Sequence, residues 1–217
     1  AVQEGPEQGW TATITIIGFV IGIAAVVGFV VVELRREHPL LDVRLFRNEG
    51  LTTGSVNLFV VFALMFAIFL ILVQFLQAVL GYTALHAATG LLPMAVMMLP
   101  LSTVAPTIAH KIGYRRTVVT GMLTLDAGLA LLALLADANR GYLSILPGLL
   151  LIGAGVGLAM SPSTTAITSS LTEDKQGVAS ALNDTGREIG AAMGLALIGS
   201  VLSSQFRTNI TDLANTY

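Results

Sequence analysis

Asp126 is the residue whose type and position most invite chemistry. It lies near the middle of the apolar run 117–136, about 9 residues or ~14 Å along a helix axis from the start of that run. That is too deep for a short side chain to reach water. An ionised carboxylate in a bilayer costs at least about 2.5–3.5 kcal/mol, so Asp126 is expected to face a bundle interior or a cavity. Apolar surroundings favour the protonated acid. Such a group can bind a proton or pair with a cationic substrate; the structural alternative is a protonated acid making one interhelical hydrogen bond. A second charged group, Asp184, Arg187 and Glu188, precedes another apolar run. It reads either as a gate network or as ordinary charge at a helix end. Asn57, Gln74 and Gln77 on one run and Ser102 and Thr103 on the next are polar residues that line a cavity or bond neighbouring helices.

Other patterns carry no chemistry. Gly153-Ala154-Gly155-Val156-Gly157 lies inside an apolar run with no preceding strand, so it is not a nucleotide-binding loop. His38, His86 and His110 have no ligand spacing, and no metal site is expected. There is no Cys, no Walker motif and no visible nucleophile–base pair. No cofactor and no enzymatic reaction are expected.

The elements that position these residues follow from composition. Charged residues are 11% of the 217, hydrophobic ones 54%, and mean hydropathy is +0.82; a soluble domain carries about 25% charge. Between Glu49 and Lys111 there is no Asp, Glu, Lys or Arg, so lipid is the solvent there. Six runs are long enough to cross a bilayer: 11–32, 51–76, 87–109, 117–136, 143–166 and 189–206. Each must be a helix, because open strands leave backbone groups unsatisfied in lipid. The fold class is an all-α, polytopic transmembrane bundle with about six spans. Trp10 opens the first as an interface aromatic. Residues 1–10 do not read as a signal peptide, and the chain reads as a truncated segment. The net charge of -2 argues against a nucleic-acid partner.

With six crossings, one side collects Arg35, Arg36, Arg44, Arg47, Lys111, Arg115, Arg116, Lys175 and Arg187, and the other only Arg140 and Arg207. The basic side is therefore expected to be cytoplasmic and both chain ends extracytoplasmic. The connection 33–50, with Pro39, reads as an amphipathic interfacial linker, and 167–187 as an exposed loop. Pro93, Pro100 and Pro106 should bend the third span. Gly186, Gly190 and Gly194, like Gly18 and Gly22, form small faces for close helix packing.

His110-Lys111-Ile112-Gly113-Tyr114-Arg115-Arg116 joins two of these spans. Gly113 supplies the positive φ a tight turn needs, and the basic residues can cap helix carbonyls or meet lipid phosphates. This turn resembles the loop signature of the major facilitator superfamily, in which an acid, a base, a Gly and two bases join two helices. The stretch from Phe75-Leu76-Gln77 through Gly90-Leu91-Leu92-Pro93 resembles the same superfamily's fourteen-helix drug:proton antiporters. So does Ala179-Ser180-Ala181-Leu182-Asn183 through Arg187, Gly190 and Gly194. The resemblance covers residues 70–205. His110 stands where the family usually has Asp, so a gating salt bridge built on that acid would lack its carboxylate here.

The resemblance implies a secondary transporter exporting drugs or other lipophilic or cationic molecules in exchange for protons, in the cell membrane. Residues 1–50 would be a linker helix and its connection, and 51–217 the first five helices of a C-terminal six-helix half. The implied partners are lipid, protons, a small-molecule substrate, the N-terminal half and one last helix. The alternative is a non-transporting membrane subunit or a six-helix channel formed by oligomerisation.

Overall fold

The computed structural model describes residues 12–36, 43–137 and 140–216, with side chains as far as Gln205. Trp10, His38, Pro39 and the side chain of Arg207 lie outside the described residues. Every regular element among the described residues is helical: α1 Thr13–Arg35, α2 Glu49–Gln74, α3 Ala84–Gly90, α4 Leu92–Ile112, α5 Tyr114–Leu135, α6 Leu146–Ser169 and α7 Gln176–Thr216. Among the described residues five stretches are long and apolar enough to cross a membrane: Thr13–Arg35, Glu49–Val79, Ala84–Ile112, Tyr114–Leu135 and Leu146–Ser169. The sixth expected run lies within the 41-residue α7, and its end passes beyond the described side chains.

α2 starts where Asn48 caps it, its Oδ1 accepting from the amide of Gly50 at 2.9 Å, an N-cap that satisfies an otherwise orphaned donor. It continues past Gln74 into a π turn, Phe75–Val79. The third span is two helices, because the chain breaks at Leu91 between α3 and α4. Pro93 sits in the first turn of α4, where no ladder bond is lost; Pro100 and Pro106 alone lie inside the helix. The connection expected over 167–187 is mostly helix instead: α6 runs to Ser169 and α7 begins at Gln176. Its Ser, Thr, Gly and charges belong to a helical stem.

Small residues set the packing. Added Cβ atoms at Gly153 and Gly157 of α6 would strike the carbonyl oxygens of Met94 and Met98 of α4. These pairs ascend together, so the two helices run parallel. Gly121 and Gly128 of α5 meet Ala159 and Ile152 of α6 in descending order, an antiparallel pair. Gly190 and Gly194 of α7 press on the carbonyls of Phe59 and Ala63 of α2, again parallel. The Gly153–Gly157 stretch is thus a packing surface, with Gly155 turned to Leu125 of α5. α6 is the centre of the bundle, held against α2, α4 and α5, and α2 is clasped between α6 and α7. Leu58, Val61, Leu125, Leu149, Ile152 and Val156 are fully buried there.

α1 stands apart. Its apolar residues are exposed, with Ile21 at 63% and Val26 at 64%, and its main contact is the 3-10 turn Val43–Arg47. Nothing lies within 4 Å of a Cβ built on Gly22, so the Gly22 part of the small face expected of Gly18 and Gly22 has no helix against it among the described residues. Gly186 is looser than Gly190 and Gly194, its nearest neighbour being 3.8 Å away.

The helix directions gather the starts of α2, α5 and α7 and the ends of α4 and α6 at one end of the bundle. Arg44, Arg47, Lys111, Arg115, Arg116 and Lys175 lie at that end. At the opposite end Arg140 pairs with Asp137 at 3.9 Å. There the Tyr142 hydroxyl donates to the carbonyl of Gly90 at 2.7 Å, and burial pushes its phenol up.

Candidate functional site

At the basic end, α4 and α5 are joined through Gly113 alone, with φ 96° and ψ 145°. The positive φ expected of this residue is present. Its amide donates to Ala109 at 3.0 Å and its carbonyl accepts from Thr117 Oγ1 at 3.0 Å. His110, Lys111, Arg115 and Arg116 are exposed and make no hydrogen bond or ion pair among the described residues. They therefore do not cap the helix carbonyls. Tyr114 turns inward, its hydroxyl buried without a partner. It lines two adjoining cavities. One, of about 320 Å³, includes Gly50, Pro106, His110 and Ser170. The other, of about 380 Å³, includes Glu49, Thr53 and Arg115.

Further along, Asn57 joins α2 to α6. Its amide donates to Ala159 O at 3.3 Å and to Ser163 Oγ, while Ser163 donates to Ala159 O at 2.7 Å. Asn57 is thus an interhelical partner. It also lines a groove of about 310 Å³ that runs between α2 and Met122 of α5. Asn57→Leu removes two bonds and orphans the buried Ser163 acceptor. A loss of about 1–2 kcal/mol is expected, read as a lowered Tm of the full-length protein in detergent; an unchanged Tm would count against the bond.

Asp126 lies off the face of α5 that packs on α6. It is exposed on α5 and makes no hydrogen bond or ion pair among the described residues. The face of α5 that packs on α6 carries Thr117, Gly121, Leu125 and Gly128, and Asp126 lies one residue, about 100°, around the helix from Leu125. It follows Met122, a wall of the α2–α5 groove, by one turn. Gln74 and Gln77 are likewise exposed and make no interhelical bond among the described residues. Ser102 and Thr103 bond their own helix, donating to Leu99 O at 2.8 Å and Pro100 O at 2.7 Å.

The seam between α2 and α7 gives Arg187 partners that the sequence did not show. Arg187 is half-buried, its guanidinium 5.3 Å from the ring centroid of Phe62, which stacks in turn on Phe66. Its Nε is buried without an acceptor. Ser55 Oγ, on the α2 side of the same seam, is also buried and unpaired. One turn before Arg187, Asn183 accepts at Oδ1 from Thr164 of α6 at 3.3 Å. Asp184 and Glu188 are exposed and form no ion pair with Arg187, so the charged trio is not a gate network among the described residues. By the register of Gly186 against Ser55, Arg187 lies about 10 Å along the axis from Glu49. A cation in a span costs about 2.5–3.5 kcal/mol, and an aromatic stack returns about 0.5–2 kcal/mol of that.

The sequence model of the Major Facilitator Superfamily matches residues 6–195. The chain belongs to this superfamily. Its five membrane-length apolar stretches among the described residues fit a multi-pass membrane protein. Relatives along nearly all of it include the multidrug resistance protein Stp of Mycobacterium tuberculosis, 35% identical over 211 residues, 94% of this chain and 38% of the relative. The multidrug transporter protein MdtP of Bacillus subtilis is 27% identical over 208 residues, 96% of the chain and 38% of the relative. The puromycin resistance protein pur8 of Streptomyces alboniger is 30% identical over 215 residues, 95% and 42%. The chain thus spans about two fifths of the length of the curated relatives it matches.

Proposed function

We propose that the chain is part of a proton-driven exporter of drugs or other lipophilic small molecules in the cell membrane. Its basic end lies in the cytoplasm, α1 is the linker helix, and α2–α7 open the C-terminal half. The observation that carries drug export is the series of relatives named for multidrug or puromycin resistance across nearly the whole chain. The gathering of basic side chains at one end supports the orientation. The separateness of α1 supports its assignment as a linker.

Asp126 supports proton coupling. It is the one acidic residue between Glu49 and Asp137, on a helix face that no described residue covers. Lipid does not stabilise a bare carboxylate there. The group must be neutralised by a proton, or covered by a further part of the transporter. A carboxyl that alternates between these two conditions as the halves rock is a coupling site. In the full-length transporter reconstituted in proteoliposomes, Asp126→Asn should cut pH-gradient-driven efflux at least tenfold and leave drug binding intact. Unchanged gradient-driven efflux would remove the coupling role. Efflux by the parent protein that ignores the pH gradient would remove proton drive altogether.

A further inference from the structure

We infer that the guanidinium of Arg187 recognises a carboxylate on the transported compound, so that the exporter takes anionic amphiphiles besides cationic or neutral ones. The inference rests on the export reading and adds a substrate class to it. Among the described residues three buried side-chain polar atoms lack a partner, and two of them, Arg187 Nε and Ser55 Oγ, sit on the single seam between α2 and α7. Unsatisfied buried donors are rare in native structures, and the Arg187 Nε points to a group from outside the chain.

The chemistry of the seam selects an anion. The Phe62 ring lies against the guanidinium, and a planar fork whose Nε has no acceptor among the described residues matches the shape of a planar oxyanion. The stack compensates only part of the charge's transfer into a span. No carboxylate of the surrounding elements completes the compensation. α4 and α6 carry no acidic residue, α2 has only Glu49 in its first turn, and Asp184 and Glu188 of α7 are exposed and unpaired. Asn183 reinforces the preference. Its oxygen is engaged by Thr164, which leaves its NH2 as a second donor on the face of Arg187. The aromatic pair Phe62 and Phe66, stacked with centroids 6.3 Å apart, continues into a cavity of about 250 Å³ lined by Met65, Phe66, Phe69 and Met94. An apolar body with a carboxylate at one end would place its tail there and its head on Arg187.

The test uses the full-length transporter and two fluorescent probes, anionic carboxyfluorescein and cationic ethidium, with binding read by anisotropy and flux in proteoliposomes. Arg187→Gln should weaken carboxyfluorescein binding about tenfold to a hundredfold, the range of a charge-assisted hydrogen bond, and change ethidium binding less than twofold. Arg187→Lys, which keeps the charge but loses the planar fork, should fall between. Ethidium binding reports whether each variant is folded. Equal losses for both probes in both variants, or no loss of carboxyfluorescein binding, would overturn the inference. Selective binding without any flux by the parent protein would support the anion site and overturn the export reading instead.

Discussion

Gly194→Val is expected to cost on the order of 3 kcal/mol, the upper range for overpacking a well-packed contact. A Cβ at Gly194 would fall on the carbonyl oxygen of Ala63, with the Ala63 carbonyl carbon at 2.7 Å and its Cα at 2.8 Å. The obstacle is backbone, and backbone cannot rotate aside. α7 would have to lift away from α2, and the neighbouring close approach of Gly190 to the Phe59 backbone would open with it. The lipid side gives no hydrophobic driving force to close the gap, since helix association in bilayers depends on such close packing. Gly22→Val is the matched control, because nothing lies within 4 Å of its Cβ; its effect should stay within about 0.5 kcal/mol. Thermal unfolding of the full-length protein in detergent, followed by size-exclusion recovery, compares the two. Equal Tm values for the two variants would mean that α7 does not pack on α2 as described.

How much of this was legible beforehand depends on the physical signal each feature leaves. Hydropathy over twenty residues is a strong signal, and it located the spans. Direction followed from counting them, so the clustering of Lys111, Arg115, Arg116 and Lys175 at one end was legible too. The start of α7 was not. Residues 176–188 are polar because they form a helical stem, and polar composition alone does not distinguish an exposed helix from a loop. The break at Leu91 was missed for a related reason: Gly90 and Pro93 flank it, yet apolar content runs through it unchanged.

Depth and azimuth differ in the same way. The depth of Asp126 could be counted along its helix, but the expectation of a bundle interior or a cavity did not say which face of the helix carries it. The stripe Thr117, Gly121, Leu125, Gly128 marks the packed face of α5, and Asp126 is off it. Arg187 shows the converse. The sequence leaves it as a gate residue or as charge at a helix end, because the run after it begins only at Ile189. The pairing of Gly186, Gly190 and Gly194 with α2 sets Arg187 beside Ser55 and Phe62. The small-residue stripes were therefore the readable clue to both side chains, since they state which face of each helix has a partner.

Gly113 is where a change of one methyl group should have the second large effect. Its φ of 96° with ψ of 145° lies outside the compact left-handed well near +57°, +47° and in territory that essentially only Gly occupies. Both sides are fixed, since its amide is bonded to Ala109 and its carbonyl to Thr117. The strain of a side chain cannot be passed along the chain. Gly113→Ala should cost about 1–3 kcal/mol, and the loss should appear in transport as well as in Tm. Relaxing the turn moves Tyr114, which with Gly50 is shared by both cavities at this end. The diagnostic variant is Gly113→Asn. Asn relieves an ordinary left-handed turn, but the extended ψ here denies it that refuge, so it should be no better than Ala. Gly177→Ala, with nothing within 4 Å and no positive φ, should leave both readouts unchanged. Rescue by Asn would mean that the turn is a common left-handed one, and that its single-residue geometry does not control how α4 and α5 meet.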